Sequence, residues 1–126
     1  MQKIFYVGIG GFIGASLRYI ISIQSTKWFG TNFPFGTLIV NVLGGFLMGV
    51  IMQLSSDTTL ISPNQKLILT TGILGGLTTF STFSLETTVL FSDARYTLAA
   101  LNMGLNLFFS LLGLVAGRIL IQKIIL

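Results

Sequence analysis

Apolar residues without charge fill four long stretches of the chain, roughly Ile4–Ile23, Phe35–Leu54, Leu67–Phe91 and Tyr96–Ile121. At about 1.5 Å of rise per residue, each predicts a helix able to cross a hydrocarbon core of about 30 Å, the last two with some tilt or irregularity. The polar connections between them, "QSTKWFGTNFP", "SSDTTLISPNQK" and "SDAR", are too short to hold a folded domain. The pattern therefore predicts an all-α membrane protein, with one transmembrane domain over residues 1–126.

Composition agrees. The chain is 52% hydrophobic and 8% charged, whereas a soluble domain needs about 25% charged residues to cover its surface. Lys3 precedes the first apolar run as in a signal peptide, but no small-x-small cleavage site follows, so a retained helix is expected. Without cysteine or histidine and with three acidic residues, the sequence offers no disulfide or thiolate chemistry and little for metal-dependent or acid/base catalysis. The seven basic residues are scattered near helix ends instead of forming a nucleic-acid patch, so lipid headgroups are the expected partners.

Charge placement bears on orientation. Helix hairpins alternate sides, which puts Lys3, Lys66, Arg118 and Lys123 towards one side and Arg18, Lys27 and Arg95 towards the other. Such a small excess is a weak positive-inside signal, compatible with insertion both ways up or with one orientation set by Lys3 and Lys66.

Each predicted helix carries a small-xxx-small step, at Gly10–Gly14, Gly45–Gly49, Gly72–Gly76 and Gly113–Gly117. Glycines at this spacing let helices approach closely in lipid, so tight packing and a narrow pathway, or one between subunits, are expected. The run "GIGGFIG" is not a dinucleotide loop: its glycine register fails at Ile13 and no strand precedes it.

Two helices carry polar seams. Thr37, Asn41, Gly45 and Gly49 recur every four residues on the second, and Asn102, Asn106, Ser110, Gly113 and Gly117 run along the fourth. Buried amides serve either a packing interface or a polar pathway, and three of them favour the pathway.

The third helix, with "GGLTTFSTFS" at Gly75–Ser84, holds nine Ser/Thr and three Gly between Thr70 and Thr88. Such a composition predicts a break near Gly75–Thr78. Freed carbonyls at membrane depth must face protein, water or an ion, unless Ser/Thr back-bonding satisfies a simple kink. Past it, Phe80 and Phe83 share a face, either as lipid or core contacts or as rings presenting positive edges to an anion.

These motifs resemble those of the Fluc/CrcB family of small bacterial fluoride channels. The likeness spans the chain through "GGFIGASLRY", "GTLIVNVLGGFLMG", "GILGGLTTFSTFS" and the glycine-ended fourth helix. It implies a dual-topology antiparallel homodimer in the bacterial inner membrane, a multi-pass protein with two fluoride pores and a structural sodium ion at the dimer centre. By the same resemblance Phe80 and Phe83 are pore-facing rings and Asn41 is an amide donor. Thr37, Ser81, Thr82 and Ser110 belong to the fluoride pathway, Arg18 attracts anions at the entrance, and the Gly75 and Thr78 carbonyls hold the sodium.

Fluoride holds its water most tightly among the halides, so a dry pore must offer close donors instead, at about 2.5–3.0 Å for hydroxyls. The implied function is passive fluoride export, relieving cytoplasmic toxicity. The alternative is a small dual-topology proton-coupled or multidrug transporter, which needs a membrane-embedded carboxylate, usually in its first helix. Here the first helix holds Arg18 and no acid, and Glu86 on the third has no assigned role. A non-conducting scaffold would have no need of the polar seams.

Overall fold

A computed structural model describes residues 1–125. Four spans are long and apolar enough to cross a membrane: α1 (Gln2–Phe29), α2 (Phe35–Asp57), the segmented stretch Pro63–Ser92, and α6 (Tyr96–Ile125). The third span comprises α3 (Pro63–Leu67), a π-helical stretch (Ile68–Leu74), one turn α4 (Gly75–Leu77) and α5 (Phe80–Ser92).

The helices overrun their apolar cores. α1 continues through Gln24–Phe29, which reads as a loop by composition, with Thr26 Oγ1 turned back onto the Ser22 carbonyl at 3.0 Å. It stops where Gly30 takes φ 78°, a conformation open to glycine at little cost. α3 starts at a capping box: Ser62 Oγ accepts from the Gln65 N–H, and Gln65 Oε1 accepts from the Ser62 N–H, with Pro63 following the cap. The π stretch contains Thr70, whose hydroxyl donates back to the Lys66 carbonyl at 2.8 Å, the kind of local bond that disturbs a regular helix.

The small-xxx-small steps pair off inside the protomer. α1 packs against the π stretch and α4, and α2 packs along α6. A Cβ on Gly10 would meet the Gly72 Cα at 2.8 Å, and one on Gly76 the Gly11 carbonyl oxygen at 2.6 Å. On the other seam, Cβ atoms on Gly49 and Gly117 would lie 2.1 and 2.2 Å from the Leu114 and Phe46 carbonyl oxygens. Backbone thus packs on backbone, as is favoured where lipid removes the hydrophobic drive between helices. At Gly14 an added Cβ would come within 2.0 Å of the Ile73 oxygen. Gly14→Ala is therefore expected to force α1 off the third span and cost on the order of 3 kcal/mol. Thermal unfolding in detergent checks this; an unchanged midpoint would contradict the contact.

The break lies at Thr78 and Thr79, both extended, with Gly75–Leu77 still helical. It thus falls at the end of the expected segment Gly75–Thr78. Gly72 and Gly76 serve close approach to α1, and the chain opens at the two threonines.

Candidate functional site

The break is held by one side chain. Thr79 N–H donates to Asn41 Oδ1 at 2.9 Å, and Asn41 Nδ2 donates to the Thr79 carbonyl at 3.2 Å, so the α2 amide grips both polar groups of one extended residue. Thr79 then caps α5: its Oγ1 accepts from the Thr82 N–H at 3.1 Å and sits 3.0 Å from Thr82 Oγ1 and 3.4 Å from Ser81 Oγ.

These bonds divert donors that a continuous helix would use. Thr79 N–H would serve the Gly75 carbonyl and Thr82 N–H the Thr78 carbonyl; both are taken by side chains. The carbonyls of Gly75 and Thr78, expected to hold a cation, thus lack their helical donors, as do those of Gly76 and Leu77 across the same break. Gly75 is exposed on the protomer.

From Asn41 a chain of amides crosses to α6 and returns to α5. Asn41 Nδ2 donates to Asn106 Oδ1 at 2.9 Å, Asn106 Nδ2 to Asn102 Oδ1 at 3.0 Å, and Asn102 Nδ2 to Thr87 Oγ1 at 2.9 Å. Thr87 donates in turn to the Phe83 carbonyl at 2.8 Å. Asn102 and Asn106 are buried, and their pairing satisfies amides that would be costly unpaired in a membrane.

Beside this chain lies a cavity of about 380 Å³, lined by Asn41, Asn106, Ser110, Phe80 and Phe83 among mostly apolar neighbours. The two rings are 5.5 Å apart, centre to centre, and inclined at 53°. Phe80 is 78% exposed, so this side of the cavity lacks a wall within the protomer. Ser110 Oγ is buried without a hydrogen-bond partner among the described residues. Its hydroxyl is a free donor where both Asn41 amide hydrogens are engaged. A site of this kind, hydroxyl and amide donors and ring edges with no cation, suits a small anion held without full charge neutralisation.

The structure brings together Asn41, Phe80, Phe83 and Ser110. Ser81 and Thr82 form a hydroxyl cluster with Thr79. Thr37 lies in a second cavity nearer the α1–α2 connection, where its hydroxyl donates to Glu86 Oε1 at 2.8 Å. Half-buried Arg18 lines neither cavity. Sequence reasoning missed Thr79, whose place three residues before Thr82 at the start of a polar-rich helix is a faint capping signal. It also gave Asn106 a seam but no partner.

A family model described as "CrcB-like protein, Camphor Resistance (CrcB)" matches residues 5–118. The chain is 58% identical over 121 residues to the fluoride-specific ion channel FluC of Clostridium perfringens strain 13, covering 94% of each. It is 53% identical over 114 residues to the protein of that name from Clostridium novyi, covering 90% of this chain and 89% of the relative. With that of Shewanella amazonensis it shares 50% identity over 123 residues, 98% of each chain.

Proposed function

The chain belongs to the CrcB-like family, and from that membership and the names of its relatives we propose that it is a fluoride-specific ion channel. It is a multi-pass membrane protein and a channel, not an enzyme. The observation that carries the assignment of a site is the unpartnered Ser110 hydroxyl, buried beside the Asn41 amide and the Phe80 and Phe83 rings. An ion entering there exchanges water for the Ser110 proton and takes over the Asn41 hydrogen now resting on Asn106. Ring edges add weaker attraction. No positive charge lines this cavity to trap the ion. Transport is passive, out of the cell across a bacterial inner membrane.

Proteoliposomes loaded with fluoride and read with a fluoride electrode test this directly. Fast efflux is expected, with chloride excluded and with no dependence on an imposed proton gradient beyond its effect on voltage. Efflux strictly coupled to protons would favour the transporter reading, and no efflux would remove the channel.

Two antiparallel copies complete the path. The exposed Phe80 supports this, as do the near-equal basic charges at the two ends. Because the glycine steps are spent inside each protomer, the partner would meet the break and the Phe80 side instead. Reporter tags at the C-terminus should give signal from both compartments; signal from one alone would contradict dual topology.

A sodium ion suits the break. The Gly75 and Thr78 carbonyls of two copies would form a hard oxygen site, fitting a small monovalent cation. Its chemistry would be structural, holding the copies together. Replacing all sodium by a bulky organic cation is expected to lower flux or loosen the dimer. Unchanged flux and unchanged size-exclusion profiles would count against the site.

A further inference from the structure

A second cavity, of about 360 Å³, opens where the C-terminal turns of α1, the start of α2 and the end of α5 converge, and it holds a charge of each sign. Glu86 Oε1 accepts from Thr37, but Oε2 is buried with no hydrogen-bond partner among the described residues. Arg95 lines the same cavity, and its Nη2 donates to the Asn32 carbonyl instead of to Glu86.

The backbone places Arg95 there deliberately. α5 ends with Arg95 N–H bonded to the Leu90 carbonyl at 2.8 Å and Ala94 N–H to the Phe91 carbonyl at 3.0 Å, the paired bonds of a Schellman turn. Glycine usually takes the left-handed position of that turn; here Ala94 does, at φ 56°. The following position ordinarily packs an apolar side chain back on the helix, and here it carries a guanidinium turned into a cavity.

This cavity and the ring-lined one both take part of their lining from α2 and α5. Thr37 precedes Asn41 by one turn of α2, and Glu86 follows Phe83 by three residues on α5. An anion moving from one cavity to the other along α2 and α5 meets the Glu86 carboxylate, which repels it whenever it is ionised.

We propose that this cavity is the second mouth of the anion path and that Arg95 is its anion-capturing residue, cancelling the Glu86 charge as a small hydrated anion sees it. The inference rests on the fluoride-channel reading. Hydroxyls of Ser22, Ser25 and Thr26 on the facing wall would share the ion's hydration shell. Because the cavity is open to solvent at the loop end, Arg95 acts over distances that salt screens, on the order of 10 Å at 0.1 M.

The experiment measures fluoride efflux from proteoliposomes for the wild type, Arg95→Gln, Arg95→Lys, Glu86→Gln and the Arg95→Gln/Glu86→Gln pair, at low and high ionic strength. Arg95→Gln should lower flux about tenfold at low ionic strength and distinctly less at high. Arg95→Lys should recover most of it, and adding Glu86→Gln should largely reverse the Arg95→Gln loss. Were Arg95 only tying down the Asn32 loop, the loss would follow thermal stability, ignore ionic strength and persist in the pair; that result overturns the proposal. Wild-type flux in Arg95→Gln overturns it equally while leaving the channel reading intact, whereas a wild type that passes no fluoride removes both.

Discussion

Asn41→Asp should reduce fluoride flux by about three orders of magnitude. The substitution keeps the oxygen that accepts from Thr79 N–H but turns the donating end of the amide into a second oxygen. That oxygen would face the Thr79 carbonyl and Asn106 Oδ1, now 3.2 and 2.9 Å from Asn41 Nδ2. If ionised, it would also set a negative charge in the path. Two like charges about 4 Å apart interact by about 4 kcal/mol at an effective dielectric constant of about 20. Since about 1.4 kcal/mol is tenfold in rate, a barrier of that size gives the stated loss. Asn41→Ser keeps one donor with less reach and should leave a measurable remnant. Size-exclusion profiles on the same preparations separate lost conduction from lost folding, because Asn41 also holds the break. Intact particles with full flux for Asn41→Asp would refute the donor role.

Phe80→Ile and Phe83→Ile should each lower flux, by up to about tenfold, with the particle size unchanged. Isoleucine preserves much of the volume but has no positive ring edge. An aromatic contact is worth about 0.5–1.5 kcal/mol beyond its area, so losing one that forms only with the ion in place costs up to about a factor of ten in rate. The two positions need not respond alike. Phe83 is half-buried, while Phe80 stands 78% exposed and depends on whatever covers it. A loss at Phe80 alone would indicate that the partner-facing ring carries the contact. Wild-type flux in both variants would return the rings to packing.

The four spans were legible in the sequence because hydropathy reports what surrounds a helix over its whole length. Their ends were less so. Gln24–Phe29 looks like a connection by composition, yet polar residues extend a helix without difficulty once it leaves the hydrocarbon. In the third span, a region rich in Gly, Ser and Thr announced a break near Gly75–Thr78, and the chain opens at the end of that segment, at Thr78 and Thr79. Glycine has two uses there, flexibility and close approach, and composition does not separate them; the contacts of Gly72 and Gly76 with α1 do. Asn41 and Ser110 could be picked out on separate helices as members of polar seams. That Asn41 reaches Asn106, and that Ser110 is left unpartnered, depends on α2 packing along α6, a relation between residues 65 positions apart in the case of the amide pair. Arg95 was visible only as a loop charge, since its direction comes from the left-handed turn at Ala94.

The chain of amides from Asn41 to Thr87 has a direction. Thr79 N–H, a backbone donor that cannot turn round, requires Asn41 Oδ1 to face it, which leaves Asn41 Nδ2 for Asn106 and so orients Asn106 and Asn102 in sequence. Proton hopping needs groups that receive a proton and release another from the same atom, as water, hydroxyls and carboxyls do. A carboxamide accepts at oxygen and donates from nitrogen, so relaying a proton would require the high-energy imidic acid tautomer. Three consecutive carboxamides therefore make this seam a break in any Grotthuss wire. A cell relying on its proton-motive force can keep such a seam in its membrane without short-circuiting itself along these side chains.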